Sequence, residues 1–196
     1  GDYIIVGAKT SNDIGSNAGS AYIFSPRNPN LYQITSLEYD TALGQYNSLA
    51  KRDHNTYVLA YYGKHGSSAR GLINTFDIPS SGESITKHTP WEHDDSDGRY
   101  NSLIQIDTNK YALAYMGSST DGHIKSLVIA HDGTSISQPD QVTHDNYNSG
   151  EGGTDNSLIH VTDDIYALAS DKNLGEVTPI YQTLLGEEKE LLKIQT

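Results

Sequence analysis

Cysteine is absent from the 196-residue chain, which excludes disulfides and thiolate metal sites. No apolar stretch approaches the ~20 residues that span a bilayer. Basic residues are scarce, 13 Lys and Arg against 25 Asp and Glu, for a net charge of −12. Such a surface repels phosphate backbones, so nucleic acid is not an expected partner. No Asn-x-Ser/Thr acceptor for N-linked sugar occurs. Phenylalanine appears twice and methionine once, while Gly, Ser, Thr, Asn, Asp and Tyr abound. That mixture suits an extracellular or cell-surface β-protein. The first residue is Gly1, as in a processed chain or a piece of a longer one.

What the chain does have is repetition, which outranks every other signal. Tyr46-Asn47-Ser48-Leu49 recurs as Tyr100-Asn101-Ser102-Leu103 and then as Asp155-Asn156-Ser157-Leu158. A second block follows each: Tyr57-Val58-Leu59-Ala60-Tyr61, Tyr111-Ala112-Leu113-Ala114-Tyr115 and Tyr166-Ala167-Leu168-Ala169-Ser170. The tyrosines that open these blocks recur every 54 or 55 residues, and the same step back from Tyr57 lands on Tyr3. The chain therefore divides into copies 1–45, 46–99, 100–154 and 155–196 of a single repeat domain, the first lacking its opening strand.

Each copy reads as a four-stranded antiparallel meander. In the third copy the strands fall at 102–107, 111–116, 123–130 and 135–143, separated by Asp/Asn/Gly turns. Pro139 cannot donate to a ladder, so the fourth strand belongs at an edge or breaks there. Tyr111, Leu113 and Tyr115 point to one face and Ala112 and Ala114 to the other. Neither set is polar, so both faces should be covered. Sheets buried on both sides are the blades of a β-propeller, and the fold class expected is an all-β, propeller-like array of about four blades. The tail 190–195 could complete the first blade or pair with another molecule, although 187–193 also has fair helix propensity.

Gly1-Asp2-Tyr3-Ile4-Ile5-Val6-Gly7-Ala8 and Gly19-Ser20-Ala21-Tyr22-Ile23-Phe24 resemble the FG-GAP repeat of integrin-α-type propellers. The match covers about residues 1–25. The later copies look like Tyr-x-Leu-Ala-Tyr-x-Gly repeats of large surface proteins. The resemblance implies adhesion or ligand binding without catalysis. FG-GAP blades also carry a calcium loop, Asp-x-Asp-x-Asp-Gly, and the nearest match is His93-Asp94-Asp95-Ser96-Asp97-Gly98. Asp94, Asp95 and Asp97 are thus candidate calcium ligands, since that ion takes six to eight oxygens. The plainer alternative is that Asp94, like Asp40 and Asp145 in equivalent places, caps its own turn.

Trp91, Tyr100 and Tyr147, near the inter-blade loops, are candidates for stacking on a sugar ring. Tyr57, Tyr111 and Tyr166 suit the blade core. Asn47, Asn101 and Asn156 suit a bond made once per blade to the preceding turn. His93 and His144 each precede an equivalent Asp, but no metalloprotease or serine-nucleophile motif accompanies them. The expected function is a non-enzymatic extracellular propeller that binds protein or glycan in adhesion. The alternatives are a surface-filament subunit assembled through terminal strands, and an enzyme on a propeller scaffold.

Overall fold

Strand alternation of the kind seen at 111–115 is realised in four antiparallel sheets. The structure, a computed structural model, describes residues 4–11, 18–25, 32–145, 153–162, 165–171 and 177–181. Tyr3, Tyr147 and the tail 187–196 lie outside the described residues. The first sheet holds β1 (Ile4–Ser11), β2 (Ala18–Ser25) and β3 (Tyr32–Asp40). The second holds β4 (Gly44–Lys51), β5 (Thr56–His65) and β6 (Ser68–Asp77), with β7 (Thr86–Lys87) and β8 (Trp91–Asp94) both paired to β6. The third runs β9 (Arg99–Asp107), β10 (Lys110–Met116), β11 (Gly122–Ile129) and β12 (Ile136–Asp145). The fourth has β13 (Thr154–Thr162), β14 (Ile165–Asp171) and β15 (Val177–Tyr181). The single helical element among the described residues is one 3-10 turn at Ser118–Thr120.

The array is a β-propeller. The innermost strands stand side by side: β4 packs on β9 and β9 on β13. Among the described residues the first sheet begins with the counterpart of β5 and has no innermost strand, as the repeat spacing predicts. Two of the prolines behave as edge disruptors. Pro139 sits in the edge strand β12, where the register with β11 shifts between Ser126 and Val128. In the second sheet the stretch around Pro90 splits the outer strand into β7 and β8.

The two faces of β10 are buried against different neighbours. Tyr111, Leu113 and Tyr115 join Val58, Ala60 and Ile73 of the second sheet, together with Leu103, Leu127 and Ile129. Ala112 and Ala114 meet Leu158, Tyr166 and Leu168 of the fourth. A face of methyl groups lets the next sheet's large side chains approach closely, and each buried Leu contributes about 1.5–3 kcal/mol. Between the first two sheets Ala21, Ile23 and Tyr39 pack on Leu59, Tyr61, Leu72 and Phe76. Tyr57 borders that cluster, half-buried, while Tyr111 and Tyr166 are fully inside theirs.

One polar device is repeated at the inner strands β9 and β13. Asn101 Nδ2 donates to the carbonyls of Tyr46 (3.1 Å) and Gly98 (2.8 Å). Asn156 Nδ2 donates to those of Tyr100 (3.0 Å) and Gly153 (2.6 Å). Each asparagine thus ties its own turn to the preceding blade. Ser48 Oγ accepts from the Leu103 N–H and Ser102 Oγ from the Leu158 N–H, both at 2.8 Å. Asn47 instead accepts from the Tyr39 hydroxyl at 2.7 Å.

Candidate active site

Every inner strand carries an extra residue near its start. The register skips between Gln45 and Ser48 in β4, opposite Ala114–Met116 in β9, and between Thr154 and Ser157 in β13. These are β-bulges, which re-aim side chains. At each bulge a non-glycine residue takes positive φ: Tyr46 and Tyr100 at 55° and Asp155 at 47°. That conformation is costly for a tyrosine and persists because the Asn bonds to the Tyr46 and Tyr100 carbonyls hold it. The bulges lie at the end of the propeller where the inter-blade turns and the β5–β6 and β10–β11 turns gather.

The side chains so aimed form a row around the axial mouth. The rings of Tyr46 and Tyr100 are 4.6 Å apart, tilted 47°, and Tyr62 stands 6.3 Å from Tyr46. One blade further, Asp155 occupies the same bulge position and is exposed. Arg99 and Asp97 pair beside the tyrosines through Nε–Oδ1 and Nη2–Oδ2, both 2.7 Å. That fork keeps the Arg99 guanidinium above its ordinary range, and Nη1 is not part of it. Burial, reinforced by Asp97, raises the Tyr62 phenol, so it stays a neutral donor. The arrangement offers flat aromatic faces, a cation already neutralised by its partner, and one accessible carboxylate.

Just behind the row lies a buried polar layer. His93 is buried, and neither ring nitrogen has a hydrogen-bond partner. Burial drives its pKa down to about 3, the Lys125 charge adding and Asp94 opposing. Lys125 donates to the His93 carbonyl and lies 5.2 Å over the Tyr115 ring. Burial lowers both Lys125 and His123, and Asp94 opposes in each case. Burial and then Asp94 raise the Tyr115 phenol. Further out, Glu92 pairs with His65 and, at 3.1 Å, with Arg70.

The candidates named from sequence are distributed unevenly over this geometry. Asp94 Oδ1 accepts from Ser96 N (3.0 Å) and Asp97 N (2.8 Å), so it caps its own turn. Burial would raise its pKa, and those N–H donors more than offset that and hold it low. Asp40 does the same with Ala42 and Leu43 at 2.9 and 2.8 Å. Both Asp97 oxygens face Arg99. Among the described residues, no three His, Asp or Glu side chains converge as a cation would require. Trp91 packs, half-buried, against the core shared by the second and third sheets. Tyr100 joins the axial row. Tyr46, Tyr62, Arg99 and Asp155 were not singled out from sequence. A signal for them was present: the bulge position reads Tyr, Tyr, then Asp, and a break in a repeat marks a position freed from architecture.

The fold and its mouth define a propeller with a polar, aromatic axial site. Among solved structures, the chain is similar to the periplasmic gluconolactonase of Pseudomonas aeruginosa, with a TM-score of 0.64 and 13% identity over 91% of this chain and 50% of that one. It is also similar to a putative 6-phosphogluconolactonase of Bacteroides fragilis, with a TM-score of 0.64 and 13% identity over 97% of this chain and 52% of that one. The chain spans about half the length of these structures. No protein-family model and no curated protein sequence matches it.

These findings correct the resemblance to FG-GAP repeats. The run Ala21-Tyr22-Ile23-Phe24 is the alternation of a blade strand, with Ala21 and Ile23 turned to the second sheet. Any propeller strand buried on both faces can show it, so 25 residues of likeness did not separate one propeller family from another. The non-enzymatic adhesion reading falls with it, as do glycan binding in adhesion and the filament subunit. The structural neighbours are a gluconolactonase and a putative 6-phosphogluconolactonase, propellers of another kind than the adhesion repeats.

Proposed function

We propose that the chain belongs to a propeller enzyme that hydrolyses a cyclic ester, a sugar lactone in class, at its axial mouth. The observation that carries this is the row Tyr46, Tyr100, Asp155: two tyrosine faces ending in one exposed carboxylate. The likeness to a gluconolactonase and a putative 6-phosphogluconolactonase supports the reaction class by analogy of fold. Tyrosine faces suit the C–H face of a saturated ring. Asp155 would take a proton from water as its oxygen bonds to the ring carbonyl carbon. The tetrahedral oxyanion would meet Tyr62 and Arg99 Nη1. Collapse breaks the bond to the ring oxygen, which takes the proton and leaves the open-chain acid. One of the two neighbours is a periplasmic protein, which supports a site of action outside the cytoplasm. Among the described residues no helix is long and apolar enough to cross a membrane.

The test is acid release from glucono-δ-lactone and its 6-phosphate, followed with a pH indicator against the spontaneous rate. Asp155→Asn should lower kcat about 100-fold, the usual contribution of a general base. Tyr100→Ala should raise KM with a smaller effect on kcat. No rate above the spontaneous one with either lactone, or full activity in Asp155→Asn, would remove the proposal.

A further inference from the structure

A buried cation interrupts the apolar interface between the second and third sheets. One position, three residues after the leucine of each Asn-Ser-Leu block, reads Arg52, Ile106 and Val161 in successive copies. Ile106 packs there against the core that holds Tyr166. Arg52 takes the same place against the third sheet and is only 6% exposed. A guanidinium is always charged, so the charge enters the interface with the side chain. Burying a charge without a counter-charge is costly, and the position is one that the repeat fills elsewhere with a hydrocarbon.

The third sheet grips this residue without neutralising it. Arg52 Nη1 donates to the His131 carbonyl at 2.6 Å and Nη2 to that of Ile129 at 3.4 Å. Gln105 Nε2 donates in turn to the Arg52 carbonyl at 2.9 Å. Among the described residues no carboxylate forms an ion pair with Arg52. The Arg52 charge acts on Asp53 and Asp132, but each uses an oxygen to cap its own turn. Asp53 Oδ1 accepts from Asn55 N (3.0 Å) and Thr56 N (2.9 Å), and Asp132 Oδ1 from Thr134 N (3.0 Å). Arg52 Nε is buried and has no hydrogen-bond partner. The Tyr111 hydroxyl, fully enclosed on the facing sheet, has none either. Burial raises that phenol, with Arg52 opposing, so it keeps its proton and can donate. Ile129 joins the two groups: its carbonyl accepts from Arg52, and its side chain packs with Tyr111.

We propose that a small anion, a halide such as chloride, sits between Arg52 Nε and the Tyr111 hydroxyl and completes this interface. Two unused donors and one positive charge select the guest. An anion accepts both bonds and balances the guanidinium. A water accepting the same two bonds needs acceptors for its own hydrogens and leaves the charge uncompensated. Enclosure between two packed sheets suits a monatomic guest. The anion clamps the β4–β5 turn of one blade to the β11–β12 turn of the next, at the end of the propeller opposite the mouth. This inference rests on neither the proposed reaction nor whatever borders the first and fourth sheets.

Crystals of the chain soaked in sodium bromide, with anomalous scattering measured at the bromine edge, test it directly. The expected peak lies within hydrogen-bond reach of Arg52 Nε and the Tyr111 hydroxyl. In solution, replacing sodium acetate by sodium bromide at constant ionic strength should raise Tm with the logarithm of bromide concentration. Tyr111→Phe keeps the ring, removes one donor and should weaken the apparent bromide affinity about tenfold. Arg52→Met keeps most of the stem, removes the charge and should abolish the response. Tyr57→Phe, at the equivalent place one blade earlier, should respond as the parent does. Should Arg52→Met fail to fold, as circular dichroism would show, Tyr111→Phe and the anomalous map still decide. The absence of a bromide peak at this place overturns the proposal. So does a bromide response that Tyr111→Phe leaves at the parent's affinity.

Discussion

His93 fills a slot that Tyr39 fills one blade earlier. Tyr39 stands edge-on to Tyr61 at 4.9 Å and 70°, and His93 stands edge-on to Tyr115 at 4.8 Å and 77°. Both rings lie in a notch between two glycines, Gly19 and Gly44 for the tyrosine, Gly71 and Gly98 for the histidine. A Cβ on Gly71 would collide with the imidazole, so the notch exists only because both positions lack side chains. The difference is at the tip. Tyr39 donates its hydroxyl to Asn47 Oδ1, whereas His93 is shorter and Asn101 Oδ1 is buried without a partner. A buried acceptor left unmade costs about 1–3 kcal/mol. His93→Tyr should restore the missing donor and raise Tm, read by thermal denaturation. A Tm below that of the parent would show that the slots are not equivalent. The same residue sets a pH dependence. Its folded pKa, about 3, lies below the unfolded 6.5, so the unfolded chain binds the extra proton. Stability is then full above pH 6.5 and falls as pH drops toward 3, by at most about 1.4 kcal/mol per pH unit from this group. In His93→Tyr the fall between pH 6.5 and 4 should be shallower. An unchanged slope would assign the acid sensitivity to other groups.

At the scale of the strand, the inner-strand bulge is where architecture and site coincide. Asn101 and Asn156 hold the carbonyls of Tyr46 and Tyr100, and those same residues turn their rings into the axial row. Asn101→Ala removes two hydrogen bonds to buried carbonyls and should cost roughly 2 kcal/mol in urea denaturation. It should also release Tyr46 from positive φ, so the Tyr46–Tyr100 contact loosens; under the proposed function, KM for the lactone then rises more than stability alone explains. Asn101→Asp is the stricter comparison, because it keeps the size and one oxygen but loses the donor. If Asn101→Asp matched the parent in both measurements, the blade-to-blade bond would not be what positions the tyrosines. Strand positions, the double-faced burial of β10, the edge disruption at Pro139 and the missing inner strand were all legible in sequence, because each follows from local alternation and spacing. The site was not. In the loop spaced like a cation site, Asp94 caps its own turn and Arg99 pairs with both oxygens of Asp97, contacts that spacing does not announce. The row itself joins residues about 54 positions apart, and only packing one blade on the next brings them together.

For the whole molecule, stability in a stack of like sheets is a sum of blade terms and nearest-neighbour interfaces. Among the described residues the second and third sheets pack on a neighbouring sheet on both faces, the first and fourth on one. Local opening should therefore follow how much of each sheet these contacts bury. Amide hydrogen exchange should be slowest in β5 and β10. It should be faster in β2 and β14, through openings of lower free energy that leave the centre intact. Leu113→Ala, in the fully buried middle of β10, should cost about 2–5 kcal/mol and lower protection in the second sheet as well as its own.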